Sequence, residues 1–265
     1  MDAVSAAIIA VLVFAVAFVY ANLGLGGGLL YVPILLSPLW TDDTAVAVPI
    51  SLSLVVATGV ASTWNHSRAG YVEPRIVGLM VPAAVLGVVV GVAFTLNAPK
   101  EIFLAAFIAV ILVVGVKMLW DWARHPSTGD ADDPAKLTPA RKAASGSAAA
   151  ASGFLSGGLG IGGGLANVPI LVYGLGRSAR RAIGTSSAII VPTAIVGFAA
   201  YVAAQTLDST DYVLIVVLWP LVFVGAFVGS RLGLARLRTR SVALAFILVL
   251  FIAAGKLIYD LIAAL

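Results

Sequence analysis

Long apolar runs separated by short polar stretches dominate the chain, starting with Val4 to Ala21. Several runs reach the length of about 20 residues that a helix needs to cross a hydrocarbon core of about 30 Å. No ten-residue alternation of apolar and polar positions, which would be typical of membrane barrel strands, interrupts this pattern. The hydrophobic pattern therefore predicts an all-α integral membrane protein.

Two of the apolar segments contain nearly the same glycine cluster. Residues 24–28 read GLGGG and are followed by VPIL at 32–35, while residues 160–164 read GIGGG and are followed by VPIL at 168–171. Clustered glycines do not favour an uninterrupted helix. Broken segments at corresponding positions of two halves are the best pointer in a sequence to the binding site of a transporter.

The similarity of the two halves extends beyond the glycine clusters. Pro82, Gly87 and Gly91 correspond in their spacing to a second set further along the chain, Pro220, Gly225 and Gly229. Each half therefore reads as one glycine-broken segment followed by three transmembrane helices. We predict a first membrane repeat over residues 1–121, a polar linker over 122–142 and a second membrane repeat over 143–265.

The positions of the basic residues indicate how the glycine segments are placed in the membrane. If each segment crossed the membrane once, the basic residues would be divided almost evenly between the two sides. If each segment returns to the face it came from, one side holds nearly all of them, namely Arg68, Arg75, Arg124, Lys136, Arg141, Lys142, Arg177, Arg180, Arg181, Arg231, Arg236, Arg238 and Arg240. Lys100 and the acidic loops at 42–43 and 208–211 then lie opposite.

Basic residues in short loops mark the cytoplasmic side of a membrane protein. The second arrangement is therefore favoured, and it makes the two halves inverted repeats with a cytoplasmic linker and both termini outside. The sequence leaves open whether each glycine segment is a re-entrant loop or a short transmembrane hairpin.

Composition narrows the function classes. The chain is 61% hydrophobic and 11% charged, with a mean hydropathy of +1.09, whereas soluble domains are about 25% charged. The net charge of +4 lies in short loops between spans, so it does not indicate nucleic acid. The predicted partners are the lipid bilayer and a small anionic substrate. The chain has no cysteine, two histidines and no HExxH or Walker motif. We therefore expect no catalytic residues, no metal, no enzyme activity and no cofactor, with Na⁺ or H⁺ left open as a coupling ion.

The glycine breaks are the candidate substrate site. A break at membrane depth leaves backbone N–H groups free and exposes helix N-termini, which together suit an anion. The predicted backbone donors are Gly26, Gly27, Gly28, Gly162, Gly163 and Gly164, and the predicted side-chain donors are Ser51, Asn167, Thr185, Ser186 and Ser187. Two alternatives remain: glycines also allow close helix packing, and membrane hydroxyls often bond carbonyls of their own helix.

A second candidate region closes the span that follows the first glycine segment. His66 and Arg68 lie beside Trp64 and precede Gly70. They are candidates for gating or for attracting an anion. The alternative is that this cluster anchors the helix at the membrane interface.

These motifs resemble those of the sulfite exporter TauE/SafE family, whose signature is a repeated glycine-rich segment followed by proline. The matching stretches are residues 24–35 with 45–53, 160–171 with 182–187, and His66-x-Arg68-x-Gly70. The first half departs from the pattern, because Val48-Pro49-Ile50-Ser51 stands where a Gly-Thr-Ser-like run is expected. The second half is thus the better match.

The resemblance implies a prokaryotic inner-membrane carrier of small anions, often sulfur-containing oxoanions such as sulfite or sulfoacetate. Transport would proceed by alternating access around a midplane site. A channel or carrier for another small metabolite, and a membrane anchor subunit without transport, are the alternatives. The substrate, the direction of transport and the oligomeric state do not follow from the sequence.

Overall fold

The computed structural model describes residues 3–37, 40–124, 132, 138–235, 248, 251–259 and 261–262, and all regular structure in these residues is helical. The elements are α1 (Ala3–Tyr20), α2 (Gly28–Leu35), α3 (Thr44–Arg68), α4 (Pro74–Asn97), α5 (Lys100–Arg124), α6 (Pro139–Leu159), α7 (Gly164–Pro169), α8 (Ala179–Ala203) and α9 (Ser209–Ala235). Helix α7 continues into a π-helical turn, Ile170–Gly174. Residues 251–259 and 261–262 are also helical.

The long helices have the length and composition of membrane spans. Among the described residues, four are long and apolar enough to cross a membrane: Thr44–Arg68, Pro74–Asn97, Ala179–Ala203 and Ser209–Gly233. Their outer surfaces expose large aliphatic side chains, such as Leu86 at 69% and Val216 at 70%. Such surfaces are stable against lipid and not against water. The chain is a multi-pass membrane protein.

Helices α2 and α7 begin where the glycine clusters predict. The residues before them, Gly27 and Gly163, have φ angles of +90° and +72°. This left-handed backbone is costly for a residue with a Cβ atom and not for glycine. The chain therefore turns at each cluster, and a short helix begins there.

Helices α4 and α6 pack in backbone contact through glycines. A Cβ atom added at Gly91 would lie 2.5 Å from the carbonyl oxygen of Phe154 on α6, and one at Gly87 would fall on the Ala150 carbonyl. Gly153 and Gly157 of α6 approach α4 equally closely. Because residue numbers rise together along both helices, α4 and α6 run parallel. Close packing of small residues is a main source of helix association in membranes.

The same arrangement holds α9 against α1. A Cβ atom added at Gly225 would lie 2.9 Å from the carbonyl oxygen of Phe14, and one at Gly229 would fall on the Phe18 carbonyl. Helices α1 and α9 are therefore parallel as well. In the structure Gly87, Gly91, Gly225 and Gly229 thus serve close helix packing.

Helices α3 and α8 pack against each other near the centre of the molecule. Leu52 Cδ1 lies 2.9 Å from the Cβ position of Gly197, and Ser62 Oγ lies 2.9 Å from Ser187 Oγ. Because residue numbers rise on one helix as they fall on the other, the two helices run antiparallel. Each is 25 residues long, so a position along either helix indicates the depth of its contacts between the two ends of the molecule.

The helix ends form two faces of opposite character. The first, called the basic face, contains Arg68, Arg75, Arg141, Arg177, Arg180 and Arg181, and contacts such as Arg180 Nη1 to Tyr71 OH (3.1 Å) join its loops. The second, called the acidic face, contains Asp42, Asp43, Asp208, Asp211 and Lys100, and Trp40 Nε1 to Asp211 Oδ1 (3.2 Å) joins its loops. The two sets of charges are separated as the sequence predicts.

The predicted linker is partly helical. Helix α5 continues to Arg124 and α6 begins at Pro139, so both helices extend into residues 122–142. Between them the structure describes Asp132 and Thr138, and Asp132 Oδ1 accepts a hydrogen bond from the Ser178 N–H at 2.9 Å. Burial would by itself raise the pKa of the Asp132 carboxyl, but the Ser178 hydrogen bonds and the charges of Arg181 and Arg177 lower it below its usual value. The carboxylate therefore stays charged at neutral pH.

Candidate functional site

The two glycine breaks meet halfway along α3 and α8. A Cβ atom at Gly26 would lie 3.2 Å from Val55 Cγ1 and 3.3 Å from Ile190 Cγ2. One at Gly162 would contact the same two side chains, at 2.8 Å and 3.6 Å. Val55 and Ile190 lie near the midpoints of their helices, so the breaks share one central position, called here the glycine crossing (residues 24–28 and 160–164).

The two breaks are in direct backbone contact. A Cβ atom at Gly28 would fall on the carbonyl oxygen of Gly160, and one at Gly164 would fall on that of Gly24 and lie 2.6 Å from Leu25 Cα. Any residue larger than glycine at these positions would displace the backbone of the other break. The crossing is therefore formed jointly by both halves of the chain.

The short helices leave the glycine crossing in opposite directions. The chain after α2 leads to the acidic face, where the Leu36 carbonyl accepts a hydrogen bond from Lys256 Nζ at 2.8 Å. The chain after α7 leads to the basic face, where the Gly174 carbonyl accepts one from Arg141 Nη1 at 3.3 Å. Basic groups thus stabilise both C-terminal ends. Both positive N-terminal ends face the crossing.

The backbone N–H groups of the crossing are unused. Among the described residues, none accepts a hydrogen bond from the N–H of Gly26, Gly27, Gly28, Gly162, Gly163 or Gly164, although all six residues are buried. Buried backbone N–H groups are nearly always paired with protein or water. The crossing thus holds six buried N–H groups for which the described residues provide no acceptor.

Ser51 and Ser186 bind the two breaks together. Ser51 Oγ donates to the Gly160 carbonyl at 2.9 Å, and Ser186 Oγ donates to the Gly24 carbonyl at 2.7 Å. Each bond joins a long helix of one half to the break of the other half, and both serines are fully buried. In this structure their protons are directed at backbone carbonyls, so their effect on the site is to position the breaks.

We expect Ser51→Ala and Ser186→Ala each to lower the free energy of unfolding by about 1–3 kcal/mol, because each leaves a buried carbonyl without its donor. Thermal unfolding in detergent measures the loss. Ser53→Ala is the matched control, since Ser53 Oγ donates to the carbonyl of Ile50 on its own helix, at 3.0 Å. An effect of Ser53→Ala as large as that of Ser51→Ala would contradict the bridging role.

The two halves differ in the side chain that follows each break. Asn167 Oδ1 in the second half accepts a hydrogen bond from Ser152 Oγ at 2.7 Å, and the same hydroxyl lies 2.8 Å from the Gly163 carbonyl. The corresponding position in the first half is Tyr31, whose hydroxyl lies 2.9 Å from Thr58 Oγ1. Asn167 is thus beside the second break, and the crossing is not symmetric in its side chains.

Thr185 and Ser187 make different contacts from Ser186. Ser187 Oγ donates to the Ile183 carbonyl at 3.0 Å and lies 2.9 Å from Ser62 Oγ. Thr185 Oγ1 accepts a hydrogen bond at 3.1 Å from the N–H of Glu73, which lies in the loop between α3 and α4. The structure therefore brings Ser186 to the crossing and places Thr185 with the contacts of the basic face.

His66 and Arg68 point to different surroundings. His66 is 4% exposed, and its Nδ1 lies 2.8 Å from the Ser62 carbonyl. Arg68 is exposed, and its guanidinium lies 4.7 Å from the centre of the Trp64 ring, which is 52% exposed. Arg68 and Trp64 thus form the contact expected of an interfacial anchor, while His66 faces inward between α3 and the start of α8.

Among the described residues, the groups nearest to the crossing glycines are uncharged. The nearest neighbours of Gly26, Gly28, Gly162 and Gly164 are backbone, valine and isoleucine atoms. In the described part of the chain, no group of three or more His, Asp or Glu side chains could hold a metal ion. The atoms closest to these four glycines are thus uncharged.

Several polar residues of the site did not emerge from the sequence. Ser152 and Ser156 lie one turn apart on α6 just before the second break, and Ser156 Oγ is buried without a hydrogen-bond partner in the described structure. The hydroxyl of Tyr201 donates to the Gly157 carbonyl at 2.9 Å. A signal for Ser152 and Ser156 existed in their spacing of four residues, which places them on one face of the helix that enters the break.

Comparison with known proteins gives a family match and several relatives. A family model described as "Sulfite exporter TauE/SafE" matches residues 9–257. A "Probable membrane transporter protein" of Haemophilus influenzae is 28% identical over 176 residues, which are 64% of this chain and 63% of that protein. The match therefore spans less than two thirds of that relative.

A longer match is to the "Probable membrane transporter protein YunE" of Bacillus subtilis, 27% identical over 260 residues, which are 90% of this chain and 92% of that protein. No solved structure matches at a significant level. Since the family model covers nearly the whole chain, this protein belongs to the sulfite exporter TauE/SafE family.

Proposed function

We propose that this membrane transporter carries a small oxoanion, of the sulfite or sulfoacetate kind, and binds it at the glycine crossing. Membership of the family and the names of the relatives support a membrane transporter. The observation that carries the anion assignment is the set of six buried N–H groups for which the described residues supply no acceptor. These donors belong to Gly26, Gly27 and Gly28 in one half and Gly162, Gly163 and Gly164 in the other.

The direction of the two short helices supports an anionic substrate. Each helix places its positive dipole end at the crossing, and together they favour a negative charge from two sides. The described side chains nearest to the crossing glycines are uncharged, so an anion held there would form hydrogen bonds without a salt bridge to them. Such binding is compatible with release on the other side of the membrane. Asn167, beside the second break, adds an amide to the site.

The contact pattern supports two inverted halves that move around this site. Antiparallel α3 and α8, and the equivalent parallel pairs α4–α6 and α1–α9, are what an inverted repeat produces. Paired broken segments at the interface of inverted repeats are typical of carriers that work by alternating access. We place the basic face in the cytoplasm on the distribution of arginines, in a prokaryotic inner membrane.

Flux into sealed proteoliposomes tests the proposed function. We expect saturable uptake of labelled sulfite and sulfoacetate, competition between the two, and no uptake of a neutral solute of similar size. An uptake that rises linearly with concentration would indicate a channel. Absence of flux for every anion tested, with protein correctly inserted, would contradict the proposal.

A further inference from the structure

An ion pair joins the two halves on the basic face. Glu73 Oε2 lies 2.8 Å from Arg177 Nη2, and the two side chains are 18% and 10% exposed. Glu73 precedes α4 in the first half, whereas Arg177 lies in the loop before α8 in the second half. The contact therefore closes the interface between the halves on this face.

Neighbouring hydrogen bonds and ion pairs connect this contact to the starts of α4 and α8. The Glu73 N–H donates to Thr185 Oγ1 on α8 at 3.1 Å. Asp132 Oδ2 lies 3.2 Å from Arg181 Nη1 and 3.8 Å from Arg177 Nη1. The start of α4, the start of α8 and Asp132 thus form one connected network.

A corresponding contact joins the halves on the acidic face. Trp40 Nε1 donates to Asp211 Oδ1 at 3.2 Å, and Asp211 is 6% exposed. Asp211 lies at the start of α9 at the same spacing before Gly225 as Glu73 has before Gly87. Trp40 lies in the loop after α2, just as Arg177 lies in the loop after α7 and its π-helical turn.

We propose that these contacts are the two gates of the transporter: Glu73–Arg177, the basic gate, and Trp40–Asp211, the acidic gate. This inference rests on the proposed function, since alternating access requires one gate to open while the other stays closed. In both gates an acidic residue at the start of a long helix binds a donor on the loop that follows the short helix of the other half. Rocking of the halves separates one pair and compresses the other.

The basic gate is closed with part of its hydrogen-bonding capacity unused. In the described structure, Glu73 Oε1 and Arg177 Nε are buried without partners. Buried polar atoms without partners are costly, and water would supply those partners when the gate opens. Water can therefore replace the contact between Glu73 and Arg177 at a moderate cost in free energy.

The two gates differ in the charge of the donor. The basic gate pairs two opposite charges, whereas the acidic gate pairs a carboxylate with a neutral indole N–H. Hydrogen bonds to charged groups are stronger when both partners are ionised. Removing a charge from one gate therefore shifts the equilibrium between the state that is open at the basic face and the state that is open at the acidic face.

The absence of cysteine makes the chain suited to single-cysteine accessibility measurements. Ser187→Cys reports on the basic side, because Ser187 is 1% exposed and contacts Ser62. Leu52→Cys reports on the acidic side, because Leu52 is fully buried against the Gly197 position. The labelling rate with a membrane-impermeant maleimide is measured from each side of sealed vesicles.

We expect Glu73→Gln to raise the labelling rate of Ser187→Cys from the basic face about tenfold, because the variant loses one hydrogen bond between charged groups. The same variant should lower the labelling rate of Leu52→Cys from the acidic face. Asp211→Asn should have the opposite pair of effects. Asp42→Asn is the control: it removes an exposed ion pair with Lys100 (3.7 Å) inside one half and should change neither rate.

A rise of both reporters in the same variant would indicate general loosening and would overturn the gates. Unchanged labelling in both variants would also overturn them, even if anion flux is saturable. Opposite shifts of the two reporters without flux of any anion would support the gates and contradict the proposed substrate. The two proposals therefore fail separately.

Discussion

Gly164→Ala is expected to reduce anion uptake by about tenfold to a hundredfold while the protein remains folded. The new methyl group would lie 2.6 Å from Leu25 Cα and 2.8 Å from Ile190 Cδ1, and on the Gly24 carbonyl. Contacts below 3.0 Å force the first break to move away, and its N–H groups then no longer converge with those of the second. Loss of one hydrogen bond to a charged group costs about 1.5–3 kcal/mol, which corresponds to this reduction in binding.

The matched control is Gly78→Ala on α4. Gly78 is exposed, and a Cβ atom there would meet no atom within 4 Å. Initial rates of sulfite uptake into proteoliposomes of equal protein content give the comparison, with monodispersity in detergent as the test of folding. A Gly164→Ala protein with the uptake of Gly78→Ala would contradict a site at the crossing.

Gly87→Val should destabilise the protein by about 1–3 kcal/mol or more, since overpacking a tight interface displaces backbone. The added Cβ atom would fall on the Ala150 carbonyl oxygen and lie 2.9 Å from the Phe154 nitrogen. Helices α4 and α6 would separate, and the second break follows directly after α6. Thermal or denaturant-induced unfolding in detergent measures the change.

Gly146→Val provides the control for this prediction. Gly146 lies in the same pair of helices, but its nearest neighbour across the interface is the Leu79 carbonyl oxygen at 3.9 Å. We expect its unfolding midpoint to stay close to that of the unmodified chain. Equal destabilisation by the two valines would show that bulk, and not backbone contact at Gly87, causes the effect.

Local features of the fold follow from the sequence because they depend on neighbouring residues. The glycine clusters and the prolines at 33 and 169 predict where α2 and α7 begin, and both helices start at the last glycine of the cluster. The separation of basic and acidic loops follows from the positions of the charged residues between the apolar runs. These are properties of short stretches and need no knowledge of packing.

Contacts between the halves could not be predicted in the same way. The sequence predicts Ser51 and Ser186 as donors to a substrate, yet each donates to a carbonyl of the opposite break. Which hydroxyl reaches that carbonyl depends on how α3 and α8 cross, and the sequence does not encode this locally. Arg68 likewise shares a motif with His66, but the two side chains lie two residues apart on a helix and therefore point to different faces.

Amide NMR of the glycines tests most directly whether the crossing binds an anion through its backbone. Protein labelled with ¹⁵N-glycine is titrated with sulfite in detergent under anaerobic conditions, and signals are assigned by triple-resonance experiments on the unsubstituted chain. We predict saturable downfield proton shifts for Gly26, Gly27, Gly28, Gly162, Gly163 and Gly164, with one common dissociation constant, and no shift for Gly78. Saturable sulfite transport without any shift of these amides would contradict the proposed site.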